Sequence, residues 1–287
     1  MRSFAASLGV LLAACASHPA PAPAPAPAAQ DPEAPQVVAP GEPQRPRAGR
    51  SEAGPDDPNE VRLGADWLDI GASAFEARVA ALEALGPKLR FDAGSRTTLI
   101  DALAQPGVPA TRAAVLLAHA AAAEDADALE ALIARLERRA HAPSRSEAAG
   151  DVIAAAALEA HAADRKVARR LADLATGERP HPELDVRVEC GRAALAGGRD
   201  EVIPFLLAVL RAETPAQALA PPDWTRTTHL YWAKARAADA LNARLAGAQR
   251  EAAERPEATV FRPDASWQDQ MAAADALEAA LRAARAL

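Results

Sequence analysis

"HPELDVRVECGRAALAGGRDEVIPFLLAVLRAE", running from His181 to Glu213, decides how the rest of the chain is read. Its first half puts Leu184, Val188 and Leu195 on one stripe of a 3.6-residue period. Its second half does the same with Val202, Ile203, Leu206 and Leu210. Gly197-Gly198 stands between them, where missing side chains permit a tight connection. The segment predicts a helical hairpin. Each helix carries one apolar face, and a single hairpin cannot bury both alone.

The same pattern recurs on either side. "SAFEARVAALEALG" (Ser73–Gly86) aligns Phe75, Val79, Leu82 and Leu85, with a Ser73/Glu76 capping box at its start and Gly86-Pro87 at its stop. A helix over 95–104 carries Leu99 and Leu103. Helices over 109–123 and 126–140 follow, on Val115, Leu116 and Leu117, then on Leu129, Leu132, Ile133 and Leu136. Ser144 and Glu147 form a second capping box before a helix through Ile153 and Leu158, and 166–175 is a helix on Val167, Leu171 and Leu174. Leu82, Leu117, Leu158 and Leu195, all in first helices, recur at about 35–41 residues, the period of stacked hairpins. A helix over 228–245 and a final one, opened by Ser266-Trp267-Gln268-Asp269 and carried on Trp267, Met271, Ala274, Leu277 and Leu281, read as a cap. In that reading Trp267 and Met271 cover the open end.

Composition agrees with an all-α chain. Half of the residues are nominally apolar, but alanine supplies most of them and aromatics are only 3%. Alanine is the best helix former and lets elements approach closely, while β-branched and aromatic strand formers are scarce.

The 181–213 unit resembles a bacterial HEAT repeat of the PBS-lyase type. Pro182, the Asp185-Val186-Arg187 step, the "AALAGG" turn and the "EVIPFLLAVL" second helix carry the resemblance. "EARVAALEALG" (76–86) and "AKARAADALNARLAG" (233–247) are partial copies, whereas the units at 109–140 and 144–176 lack the Asp-Val-Arg step. The resemblance implies a HEAT-like α-solenoid over 63–287. A non-repeating helical bundle is the alternative.

The N-terminus carries a different signal. Arg2, a short apolar run and Leu12-Ala13-Ala14-Cys15 resemble the lipobox of bacterial lipoproteins. That resemblance implies a signal peptide over 1–14 and acylation of Cys15, hence an anchor in membrane lipid. With Ala16 following the cysteine, it also implies the bacterial envelope, at the outer membrane facing the periplasm. Residues 15–62 are dominated by proline, alanine and polar residues, and the alternating prolines from Pro19 to Pro27 favour extended polyproline II. The segment reads as a disordered Pro/Ala-rich tether.

No GxSxG, HExxH, P-loop or CxxC signature occurs, and the six histidines include no pair at i, i+4. "EDADALE" (Glu124–Glu130) lacks the central glycine of a calcium loop and a terminal bidentate glutamate at the proper spacing, and reads as a helix cap at Asp125 or Asp127. Cys190 has no partner once Cys15 is acylated and reads as a small buried hydrophobe. The expectation is a chain that is not an enzyme, with no cofactor and no metal. A net charge of −7 argues against a nucleic-acid partner.

Two surfaces stand out. Arg135, Arg138, Arg139, Lys166, Arg169, Arg170 and Arg211 lie off the apolar stripes of second helices and read as a basic groove for an acidic partner. The alternative is a solvated face of ion pairs with Glu130, Glu137 and Asp173. Trp224, His229, Tyr231 and Trp232 form an aromatic segment, either an interface anchor or a packing wedge. These features predict a non-enzymatic scaffold or adaptor that binds an unidentified protein partner. An enzyme or chaperone-like factor of the HEAT/PBS-lyase type, or a spacer contacting the cell wall, are the alternatives.

Overall fold

The computed structural model describes residues 60–85, 90–105, 107–122, 126–139, 148–213, 224–252 and 260–284. The lipobox with Cys15, the proline tract and the Ser144/Glu147 capping box lie outside the described residues. Within them the chain is all-α apart from a two-residue parallel ladder. Its helices are α1 (Ala72–Leu85), α2 (Ala93–Leu103), α3 (Val108–Ala122), α4 (Ala126–Arg139), α5 (Ala148–Ala157), α6 (Arg165–Thr176), α7 (Leu184–Ala196), α8 (Ile203–Leu210), α9 (Trp224–Glu251) and α10 (Trp267–Ala283). Short 3-10 turns occupy 65–68, 158–161 and 200–202. In the ladder, β1 (Glu60–Val61), assigned from sequence to the end of the tether, pairs with β2 (Arg90–Phe91).

Local chemistry sets several boundaries. The Asp92 carboxylate caps α2 by accepting from the Ser95 amide at 2.9 Å, and the Ser95 hydroxyl accepts from the Leu63 amide at 2.8 Å. One turn of helix thereby fastens the entering chain. Asp164 caps α6 through the Lys166 amide at 2.7 Å, and Ser266 caps α10 through the Asp269 amide at 3.2 Å, as the 266–269 spacing predicts. Helix α1 begins at Ala72, so Ser73 lies inside its first turn rather than at the cap. Helix α9 extends well past the 228–245 expected from its stripe.

Packing follows an alternating order. Helix α3 touches α5, α5 touches α7 and α7 touches α9, while α2 touches α4, α4 touches α6 and α8 touches α10. The two rows meet where α3 packs on α2 and α4, α7 on α6, and α9 on α8. Alanine makes this spacing possible. Helix α3 is buried without interruption from Ala113 to Ala118, and α5 from Val152 to Ala157, because neighbours cover them on several sides. Leucines Leu99, Leu132, Leu158, Leu171, Leu206, Leu241 and Leu277 supply the larger buried surfaces between rows.

The glycine pair divides two tasks. A β-carbon at Gly197 would stand 2.3 Å from the Ala162 carbonyl oxygen, while Gly198 takes φ +77°, a left-handed conformation that side chains disfavour. The close approach of α7 to the 158–161 turn therefore depends on the first glycine, and the reversal towards α8 on the second.

Candidate functional site

The expected basic groove does not assemble as a continuous cationic surface. Arg135 is the clearest correction: its side chain is 2% exposed and belongs to the interior. Its Nε donates to Asp151 Oδ1 at 2.6 Å and its Nη1 to the Leu103 carbonyl at 2.8 Å. Asp151, fully buried on α5, also faces His181 Nε2 at 3.6 Å. The His181 Nδ1 accepts from the Glu183 amide at 3.2 Å, which fixes the ring ahead of α7. Arg135 lies only one flank from the Leu132–Leu136 stripe, and α5 packing over α4 covers that flank.

Arg170 and Arg211 are occupied as well. Arg170 on α6 binds Glu130 and Glu137 of α4 through four hydrogen bonds of 2.7–2.9 Å. These bonds hold the guanidinium more firmly protonated than usual and the Glu130 carboxyl below its ordinary range. Arg211, just past α8, binds Asp275 at 2.7 Å and Glu278 at 2.5 Å on α10. Arg138, Lys166 and Arg169 remain exposed, with Asp173 4.0 Å from Arg169. The side chain of Arg139 lies outside the described residues. A shallow cleft of about 390 Å³ between α4 and α6 is lined by Glu137, Arg170, Asp173 and Arg179, among others, and so mixes both signs of charge. The α4–α6 face thus carries interhelix ion pairs at Arg170 beside the exposed Arg138, Lys166 and Arg169.

The aromatic segment has a different character. Tyr231 and Trp232 on α9 are 39% and 45% exposed and meet edge to face at 5.8 Å between centroids. Trp267, at the start of α10, is 40% exposed rather than the buried cover its stripe predicted. Gln270 takes the inward place instead. Its amide nitrogen donates to the Pro263 and Ala265 carbonyls, both at 2.9 Å, and its Oε1 accepts from Lys234 Nζ at 2.7 Å. Lys234 is fully buried and lies 5.4 Å from the Trp267 ring centroid, a cation held against a π face. Burial lowers its pKa. Val260, 77% exposed, leads into this corner. The side chains of Trp224 and His229 lie outside the described residues.

Comparison with protein-family models, characterised proteins and solved structures finds no match. Among the described residues no group of three or more His, Cys, Asp or Glu side chains gathers around a possible metal position, and no helix is long and apolar enough to cross a membrane. Cys190 is buried on α7, where desolvation raises its thiol pKa and keeps it in the unreactive protonated form.

Sequence reading missed two features. One is a buried charge cluster in which Glu189 of α7 meets Arg192 at 3.0 Å and also pairs with Arg236 of α9. The other is the Lys234–Gln270–Trp267 stack. Neither leaves a motif, because each joins helices far apart in sequence. The one available signal was that Lys234 is one of only three lysines in the chain.

Proposed function

We propose that this chain is a bacterial envelope lipoprotein, anchored through acylated Cys15, whose helical domain is a HEAT-like solenoid serving as a non-enzymatic protein-binding scaffold. Supporting the solenoid, the first helices α3, α5, α7 and α9 touch in sequence and so do the second helices α2, α4 and α6, then α8 and α10, the kind of contact stacked hairpins make. The lipobox and the proline-rich segment supply the mounting.

The observation that carries the binding role is the exposed Tyr231–Trp232 pair on α9, together with exposed Trp267 at the start of α10, which meets α9 through Lys234. In a chain only 3% aromatic, three large rings on the last two helices stand 39–45% exposed. Aromatic side chains of this kind are the usual energetic anchors of protein interfaces. The ion-paired α4–α6 face has a lesser claim, since its best-placed arginine is already bound to two glutamates.

In-cell photocrosslinking tests the reading, with a photoreactive residue replacing Trp232 in the full chain. One dominant protein adduct is expected, and Trp267→Ala should reduce it. Absence of any adduct from a folded, membrane-bound chain would refute the adaptor role. The anchor is tested separately: Cys15→Ser should abolish fatty-acid labelling and release the protein from membranes.

A further inference from the structure

We propose that the aromatic corner formed by Tyr231, Trp232 and Trp267 is a docking site for the chain's own alternating proline tract, Pro19–Pro27. The proposal rests on the reading of that corner as a binding surface and names what occupies it before a partner arrives.

The charge state of the corner selects a neutral occupant. Lys234 lies buried beneath Trp267 and bonded to Gln270, while Arg262 is paired with Asp264 at 3.2 Å. The outward surface is then the exposed aromatic side chains beside an exposed ion pair whose two charges offset each other. From Pro19 to Ala29 the chain contains only proline and alanine. Read as polyproline II, such a tract offers prolyl rings to stack on aromatic faces and backbone carbonyls free of internal hydrogen bonds. Grooves lined by aromatic side chains are how folded domains generally bind these helices.

Geometry suits a shallow surface. Polyproline II makes a turn every three residues, and here prolines recur every two. In that conformation all three edges would present prolyl rings, with a repeat of about 19 Å along two of them. The tract can meet half-exposed rings without one required register.

Reach is sufficient. The roughly thirty residues from Pro27 to Glu60 extend to about 100 Å at ~3.1 Å per residue. Glu60 lies in β1, beside the early helices, and the aromatic corner lies at the late ones. With helices packed 8–10 Å apart, the three spacings of the α3–α5–α7–α9 row separate them by on the order of 30 Å. A linker of this length holds its end at an effective concentration near the millimolar range. Intrinsic affinity in that same range is enough to fill the site.

The test uses the full acylated chain in detergent, with tryptophan replaced by 5-fluorotryptophan and read by fluorine NMR. Its comparison is a variant in which Pro19, Pro21, Pro23, Pro25 and Pro27 are all replaced by serine. The Trp232 and Trp267 signals, assigned by single Trp→Phe variants, should differ between the two chains while that of Trp67 stays fixed. A synthetic peptide covering Ser17–Gln30, added at millimolar concentration to the serine variant, should return both signals towards their original positions. Identical Trp232 and Trp267 signals in the two chains would overturn the proposal. A difference that vanishes on dilution would overturn docking within one chain, because the occupant would then come from a second copy. A partner crosslinked at Trp232 alongside unchanged fluorine signals would leave the adaptor reading standing and remove only the tether.

Discussion

Asp151 concentrates more of the interior's electrostatics than any motif in the sequence would foretell. Its carboxylate accepts from Arg135 and faces His181, and all three side chains are at most 2% exposed. Removing one member of such a pair strips the other buried charge of its bonded counter-charge, whereas replacing both with apolar groups avoids that cost. Arg135→Met alone should destabilise the fold by about 3–5 kcal/mol, and Arg135→Met with Asp151→Leu should recover most of the loss. Urea denaturation of the single and double variants measures both. A double variant no more stable than Arg135→Met would mean that the carboxylate serves some purpose beyond pairing. The same residue marks a limit of sequence reading. Arg135 sits just off an apolar stripe, and from period alone that flank looks solvated. Whether it is covered depends on α5, which no local pattern in α4 encodes.

Between elements, ion pairs do the cross-bracing. Arg170 joins α6 to α4, and Arg211 joins the end of α8 to α10. Glu130 and Glu278 consequently titrate below the ordinary carboxylate range, chiefly through hydrogen bonds from Arg170 and Arg211 respectively. Since the folded state holds these protons less tightly than the unfolded state, the bridges stabilise the fold above the ordinary carboxylate pKa. That contribution fades as pH falls through the lowered values. The melting temperature should therefore drop from about pH 5 to pH 3, and Arg170→Gln and Arg211→Gln should each drop less steeply. Calorimetry across that range decides it; equal slopes in all three proteins would mean that other carboxylates govern acid stability. Helix existence and order were legible here because stripes of leucine and valine are long and regular. The Ser266 cap was legible too, since its chemistry is local. The outward turn of Trp267 was not, because Gln270 wins the inward position through bonds to Pro263, Ala265 and Lys234.

Across the whole molecule, alanine sets the distances. Helices α3 and α5 run at the centre of the packing, with Ala113, Ala114, Ala154 and Ala155 fully buried. A larger side chain there must push two neighbours apart. Ala154→Leu should cost about 1–3 kcal/mol despite adding apolar surface, read as a lower urea midpoint with an unchanged slope. A stabilised variant would mean that the centre holds unfilled space. Composition alone implies this closeness, since a chain rich in alanine and poor in aromatics packs only by close approach. The site was less readable than the fold. Seven basic residues shared a helical face in the sequence, but three of them are committed to carboxylates that only the folded arrangement brings near. The Arg135 bridge also imposes a schedule on synthesis. Arg135 leaves the ribosome 16 residues ahead of the carboxylate it needs, and the histidine facing that carboxylate follows later still. Until Asp151 emerges, the inner flank of α4 has to stay wet. A nascent chain can therefore settle its first four helices only provisionally, and it closes them from behind when the fifth arrives.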